Sequence, residues 1–175
     1  MKNNHSTLLS FQLGEGTDHQ GRLISDIWGF NEFWLEHDHK YIQWLFPIDI
    51  QTKFNKHAPI LTENDRAEFS SSEMLQKTQR KSLELMLRFF GLHWEGEEIV
   101  PTAQLNIRDH IWLKRGGHNH LRISRIIRSL ALCGQHQLSF KFKQAIVKAA
   151  LEHGKVSEES LDYWLKAGHG LGVVN

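Results

Sequence analysis

Residues 35–47 read Leu-Glu-His-Asp-His-Lys-Tyr-Ile-Gln-Trp-Leu-Phe-Pro, and this signature segment is the most informative stretch for the fold. Placed at about 100° per residue, the apolar side chains of its second half cover an arc of more than about 140°. Trp44 lies outside this arc, so the segment is apolar on most sides. It predicts a short helix over about residues 39–45, with Asp38 as N-cap and Pro47 ending it.

Apolar residues at helical spacing, bounded by capping residues, predict helices over most of the remaining chain. Only three prolines occur in 175 residues, which also favours helices. Thr62 with Asp65, and Ser70 with Glu73, have the spacing of N-terminal caps. Gly91 is expected to end a long helix in the left-handed conformation.

Besides the signature helix, helical segments are predicted over about residues 23–35, a turn from 62, 70–90, 107–113, 119–132, 138–153 and 158–166, the last capped by Ser157. Residues 93–104 lack a period because Gly96 and Pro101 interrupt them. Short connections between helices are typical of antiparallel packing. The predicted fold class is all-α, an irregular bundle of about seven helices.

Composition also predicts the domain organisation. Residues 1–21, rich in Asn, Ser, Gly and Asp, are expected to form a flexible N-terminal arm. Residues 22–167 are expected to form one helical domain, and residues 168–175 a flexible, Gly-rich tail. A chain of 175 residues is long enough to bury a sizeable core.

Charge and composition argue against several functional classes. The formal net charge is +1, so nucleic-acid binding would need a local basic patch. Cys133 is the single cysteine, which excludes an internal disulfide. No stretch approaches the roughly 20 apolar residues that span a bilayer, and the polar start of the chain lacks the apolar core of a signal peptide. The sequence therefore favours a soluble protein of the cytoplasm.

Enzyme motifs are absent from the sequence. It contains no nucleophile elbow, no phosphate-binding loop and no dinucleotide fingerprint. Two His-x-His pairs occur, His37 with His39 and His118 with His120, but their rings diverge in a helix and no Cys pair accompanies them. We therefore expect no catalytic residue, no metal and no cofactor.

Two interpretations are open for the signature segment. In the first it is a buried core element, since aromatic residues at helical spacing usually pack in a core. In the second, Tyr41, Gln43 and Trp44 line a pocket that seats an aromatic ring of a peptide, because Tyr and Trp combine apolar area with a polar group. The candidate ligand-binding residues here are Asp38, His39, Tyr41, Gln43 and Trp44.

A second candidate site is an arginine stripe on the predicted helix over residues 119–132. Arg122, Arg125 and Arg128 lie opposite the isoleucines of this helix, and His118 lies on the same side. One interpretation is a solvated helix face. The other is an anion site, because arginine forks bind oxyanions bidentately; its candidate ligand-binding residues are His118, Arg122 and Arg125. We expect Arg125 to reach solvent or to pair with a carboxylate of the signature segment.

The signature segment and four later runs resemble the opioid growth factor receptor conserved region. The later runs are residues 58–62 (Ala-Pro-Ile-Leu-Thr), 86–92 (Met-Leu-Arg-Phe-Phe-Gly-Leu), 120–127 (His-Leu-Arg-Ile-Ser-Arg-Ile-Ile) and 160–164 (Ser-Leu-Asp-Tyr-Trp). The resemblance covers about residues 23–166. It implies a receptor for an enkephalin-type opioid growth factor, associated with the nucleus and perinuclear membrane, and it supplies no catalytic residues. The founding members carry long extensions with C-terminal repeats, so this chain resembles a short stand-alone member.

The residues and the resemblance together favour a non-enzymatic module that binds a peptide or protein. The alternative is a phosphate- or nucleic-acid-binding helical domain that uses the arginine stripe. The resemblance leaves peripheral association with a membrane open, and the sequence makes no prediction of the oligomeric state.

Overall fold

The computed structural model of the chain describes residues 5–53 and 55–169, and these are predominantly helical. The helices are α1 (Thr7–Gln12), α2 (Ile24–Trp28), α3 (Glu32–His37), α4 (Ile42–Leu45), α5 (Glu63–Ser71), α6 (Glu73–Phe90), α7 (His118–Leu132), α8 (His136–His153) and α9 (Glu158–Lys166). Strands β1 (Leu92–Glu95) and β2 (Glu98–Pro101) form an antiparallel hairpin, and a 3₁₀ turn covers Ile111–Leu113. The predicted helical fold class is confirmed, with the hairpin as a small addition.

Several helices begin or end where their capping residues predict. Thr62 and Asp65 form a reciprocal capping box at the start of α5. Ser157 begins α9 by accepting a hydrogen bond from the backbone N–H of Ser160. Gly91 follows α6 with a φ of +76°, which glycine adopts without steric cost. Local sequence is therefore sufficient to determine these three helix ends.

The single helix predicted over residues 23–35 is wrong, because two helices occupy this range. Gly29 ends α2, and Asn31 begins α3 by accepting a hydrogen bond from the N–H of Trp34 at 3.0 Å. An asparagine side chain that bonds to its own backbone competes with a continuous helix. The spacing of the apolar residues predicts helical structure here, but the Asn31 cap divides it into two helices.

The signature helix is shorter than predicted. Helix α4 begins at Ile42, and Asp38 does not cap it. Asp38 instead ends α3, and its carboxylate accepts a hydrogen bond from the N–H of Lys40 at 2.8 Å. The carboxylate therefore stabilises the connection between α3 and α4.

The predicted cap of Ser70 with Glu73 is also wrong. Helix α5 continues through Ser70, and the side chain of Ser72 accepts a hydrogen bond from the N–H of Leu75 at the start of α6. Of the helix predicted over residues 107–113, only the 3₁₀ turn is present. Serines in a row offer several equivalent caps, so spacing alone does not select among them.

The expected N-terminal arm, residues 1–21, contains helix α1. Ser6 caps this helix, and its Leu8, Leu9 and Phe11 are buried. Of the expected C-terminal tail, residues 168 and 169 are described. Residues 1–4, Phe54 and 170–175 lie outside the described part of the chain.

The chain forms two compact units, Met1–Ser82 and Leu83–Asn175, where the sequence predicts one domain over residues 22–167. In the first unit the core is built around the signature segment. Phe11 packs edge-on against Trp44 with ring centroids 5.2 Å apart, and Gln12 donates a hydrogen bond to the backbone oxygen of Trp44 at 2.7 Å. Helix α1 is thus held to α4 by both apolar and polar contacts.

The core of the second unit is formed by α7, α8 and α9 with the 3₁₀ turn. Trp112 and Trp164 are buried, with ring centroids 6.2 Å apart. The indole of Trp112 donates to the backbone oxygen of Phe90 at 2.9 Å, and that of Trp164 donates to the backbone oxygen of His120 at 3.0 Å. Both buried indole N–H groups therefore have an acceptor, as buried donors require.

Candidate functional site

A cleft of about 370 Å³ lies beside the hairpin, within the unit Leu83–Asn175. Its walls come from the C-terminal half of α6, from β1 and from the segment that follows β2. The volume is at the lower end of the range for small-ligand sites. It is sufficient for one aromatic side chain and adjoining backbone.

The apolar wall of the cleft consists of Leu87 from α6 and of Leu92 and Trp94 from β1. Leu92 and Trp94 are two residues apart on a strand, so their side chains lie on the same face. Leu87 and Leu92 are buried, whereas Trp94 is only half-buried. Part of the Trp94 side chain is therefore accessible at the cleft.

Charged side chains border the same cleft. Glu84 and Arg88 are four residues apart on α6, so they lie on one side of the helix a single turn apart. Both are exposed. The cleft thus combines an apolar wall with one carboxylate and one guanidinium, which complements a ligand that carries both charges.

His110 contributes an imidazole at the other side of the cleft. Its Nδ1 lies 3.2 Å from the backbone nitrogen of Asn106 and 3.3 Å from the backbone oxygen of the same residue, so Asn106 fixes the orientation of the ring. The Nε2 atom of His110 lies close to Gly91, since a Cβ placed on Gly91 would come within 2.8 Å of it. Glycine at this position therefore lets the imidazole approach the backbone that lines the cleft.

The aromatic residues of the signature segment are in the interior. Tyr41 is fully buried and its hydroxyl donates to the backbone oxygen of Leu35 at 2.6 Å. Trp44 is 4% exposed, and its indole N–H donates to Nδ1 of His19 at 3.2 Å. The first interpretation, a buried core element, thus fits the structure, because the polar groups of both rings donate hydrogen bonds to other residues of the same unit.

The other signature residues also have partners within the same unit. Gln43 donates to the backbone oxygen of His39 at 3.1 Å and accepts from the side chain of Asn55 at 3.2 Å. Asp38 forms an ion pair with Arg22, which also bonds to Asp18 at 2.8 Å. Of the candidate residues in this segment, His39 is the exposed one.

The solvated arginine stripe predicted on α7 is not observed. Arg122 and Arg125 are 4% and 9% exposed, and Arg128 is half-buried. Burial lowers the pKa of Arg125 to about 10, because the charged form loses its hydration. Of the two outcomes expected for Arg125, exposure to solvent is therefore wrong, and pairing with a carboxylate of the signature segment stays a prediction. The helix is covered on more than its isoleucine side.

The second His-x-His pair is split between the surface and the interior. His118 is exposed, whereas His120 is buried, with Nε2 2.7 Å from the backbone oxygen of Trp112 and Nδ1 2.8 Å from Oγ of Ser160. Burial lowers the pKa of His120, since the imidazolium would lose hydration. Within the described residues, no three His, Cys, Asp or Glu side chains are grouped to hold a metal ion.

Sequence reasoning missed the cleft residues. Gly91 was identified, but as a helix end and not as a site of close approach. Trp94 was in a segment predicted to have no regular structure, and the acidic residues around it resemble a solvated loop. Trp94 was the one sign in the sequence that this segment is structured, because an indole there needs a packing partner.

These features define a mostly helical protein with a small hairpin and a cleft of mixed polarity at its edge. Residues 18–169 match the family described as the opioid growth factor receptor (OGFr) conserved region. The match covers most of the chain, and the chain belongs to this family. In the described part of the chain, no helix has both the length and the apolar character needed to cross a membrane.

Individual relatives agree with this assignment. The chain is 37% identical over 156 residues to the opioid growth factor receptor of Rattus norvegicus. This alignment covers 84% of this chain and 27% of the relative. It is 36% identical over 159 residues to the opioid growth factor receptor of Homo sapiens, and this alignment covers 84% of this chain and 23% of that receptor. It is 34% identical over 124 residues to the opioid growth factor receptor-like protein 1 of Xenopus tropicalis. This alignment covers 70% of this chain and 23% of that protein. The chain thus spans about a quarter of the length of these relatives, and no solved structure gives a significant match.

Proposed function

We propose that the chain is a non-enzymatic binding module and that the cleft beside the hairpin seats one aromatic residue of a peptide. The observation that carries this proposal is that the cleft has both an apolar wall and two charged residues, Glu84 and Arg88, which lie one helical turn apart on α6. A short peptide with an aromatic residue near its free N-terminus offers matching chemistry. Its ring packs against Trp94, and its ammonium group pairs with the carboxylate of Glu84.

The names of the relatives support the same class of function. They are named opioid growth factor receptors, and a receptor for a peptide needs a peptide site. Because the chain spans about a quarter of those proteins, only the binding step is proposed for it. The alternative, a phosphate- or nucleic-acid-binding domain, has less support because Arg122 and Arg125 are buried.

Calorimetric titration with the enkephalin-type opioid growth factor tests this proposal. Replacing Glu84 by Gln should weaken binding at least about tenfold, since a charge-assisted hydrogen bond contributes roughly 1.5–3 kcal/mol and about 1.4 kcal/mol corresponds to a factor of ten. Trp94→Leu should weaken it by a similar factor, because part of the ring contact is lost. Both variants should unfold at nearly the same temperature as the unmodified chain.

Matched controls come from exposed residues outside the cleft. Glu73→Gln changes a carboxylate on the same helix α6, and Trp34→Leu changes an indole that is 53% exposed on α3. Neither should alter binding. If the peptide binds the Glu84 and Trp94 variants as tightly as these controls, the cleft is not the site. If it does not bind the unmodified chain, the proposed ligand class is wrong.

A further inference from the structure

Helix α8 has two apolar sides. Its inner side carries Phe142, Ile146 and Ala149, which are buried in the core of the unit Leu83–Asn175. At about 100° per residue, Phe140 and Leu151 lie on the opposite side of the helix. They are 56% and 67% exposed. An amphipathic surface helix normally has a polar outer side, so this second apolar side needs an explanation.

Three apolar residues and one glutamine lie in a row along the outer side of α8. Phe140, Gln144, Val147 and Leu151 follow one another at intervals of four, three and four residues. This is the spacing of a seam that packs against another helix, and it places the four side chains within about 60° of one another. The outer ridge, as we name these four residues, is about 16 Å long. Gln144 is the polar member, and Val147 is half-buried.

Lysines flank the outer ridge on both sides. Lys141 and Lys148 lie along one edge and Lys143 along the other. The acidic residue of this helix is Glu152, so α8 carries three lysines against one carboxylate. Lys141 and Lys143 bond to backbone oxygens of Glu97 and Leu165, which position their charges beside the ridge. An apolar seam with cationic edges complements a helix that has an apolar seam and acidic edges.

We propose that the outer ridge of α8 binds an amphipathic helix of a partner protein whose flanking residues are Asp or Glu. A second copy of this chain would bring lysine edges against lysine edges, which disfavours self-association through this surface. The surface is small, so the complex is of the weak and transient class. It is separate from the peptide cleft and does not depend on the function proposed for that cleft.

The probe is a fluorescein-labelled, 18-residue synthetic helix with Leu in its seam and Glu at the flanking positions. Fluorescence anisotropy compares it with a scrambled peptide of the same composition and with a version that carries Lys in place of Glu. The Glu-flanked helix should bind the full chain at least about tenfold more tightly than either comparison peptide. Binding of the scrambled peptide with equal affinity would overturn the proposal, because it would show attraction by charge alone.

Two variants test the ridge itself. Leu151→Gln should weaken binding about fivefold to tenfold, whereas Leu121→Gln on α7, at a leucine 65% exposed, should leave binding unchanged. Lys141→Glu with Lys148→Glu should reverse the preference in favour of the Lys-flanked helix. The charge control is Lys53→Glu with Lys56→Glu, two exposed lysines in the other unit, which should not reverse it.

Other occupants give different results. Vesicles of phosphatidylserine and phosphatidylcholine that bind the chain through Leu151, with no preference among the three peptides, would indicate a membrane surface and overturn the proposal. Sedimentation that shows a dimer dissociated by Leu151→Gln would indicate a second copy and overturn it as well. Equal affinity of the Leu151 and Leu121 variants for the Glu-flanked helix would exclude the outer ridge as the binding surface.

Discussion

The signature segment and the cleft beside the hairpin differ in how their sequence relates to their role. The signature is the most distinctive run of the chain, and its Tyr41 and Trp44 are buried with their polar groups bonded inside the fold. The cleft is lined by the end of α6 and by the segment after it, which has no recognisable period, and its Trp94 remains partly accessible. A distinctive aromatic run can thus specify packing, while a cleft with an accessible aromatic residue can come from a less conspicuous stretch.

The largest expected effect tests the packing role of the signature. Trp44→Ala removes a buried ring that contacts Phe11 and donates to His19. We expect the free energy of unfolding to fall by about 3–5 kcal/mol, measured by urea denaturation. The control is Trp34→Ala, at a ring that is 53% exposed, which should cost far less. Similar losses in both variants would remove the contrast between buried and accessible aromatic residues.

A smaller effect is expected at the cleft, from Gly91→Ala. The positive φ of Gly91 strains any other residue, and the new Cβ would come within 2.8 Å of His110 Nε2 and of Leu105. We expect a loss of about 1–3 kcal/mol in unfolding free energy. Gly96→Ala has a similar φ of +63° but no atom within 4 Å, so it isolates the cost of the backbone conformation. Equal losses at the two positions would mean that the close approach at Gly91 has no energetic effect.

The smallest expected effect is a pH dependence from His120. Its pKa is lowered chiefly by burial, so the folded state favours the neutral imidazole. This contribution to stability is therefore present above the unfolded pKa, about 6.5, and is lost as the pH falls from there towards the lower folded pKa. Urea denaturation at pH 7.5 and 5.5 should show the unmodified chain losing more stability on acidification than His120→Gln. Part of the loss should remain in His120→Gln, because burial also lowers the pKa of His19. An equal loss in the unmodified chain and in His120→Gln would contradict the prediction.

Sequence predicted the helical fold and several helix ends, because those depend on neighbouring residues. Ser157 and Thr62 cap their helices through bonds to residues three positions ahead, which spacing reveals. The hairpin was not predictable in the same way. Its strands are four residues long, and Glu95 and Glu98 are directly paired across it, so its sequence resembles a polar loop. Pairing between strands depends on surroundings more than on intrinsic preference.

The burial of Arg122 and Arg125 on α7 could not be predicted from the angular positions of residues around the helix, for a different reason. Eleven of the 15 residues of α7 are buried, including Arg122 and Arg125. A projection identifies the most apolar side of a helix, but it does not reveal how many neighbours cover the remaining sides. Helices α8 and α9 both contact α7, so more of its circumference is buried than the isoleucine side alone. The candidate cleft escaped prediction because it depends on the hairpin, which was itself not predicted and which separates β1 from the segment after β2 on the cleft wall.

The boundary between the two compact units has a consequence for proteolysis. It falls between Ser82 and Leu83, inside the continuous helix α6, and not in an extended connection. Proteases cleave exposed, flexible backbone, so limited digestion is not expected to separate the units at this point. Production of either unit alone would divide α6 into segments of ten residues, 73–82, and eight residues, 83–90. Each new end would expose backbone groups that now bond within the helix, so any dissection of the chain should retain α6 whole in the piece under study.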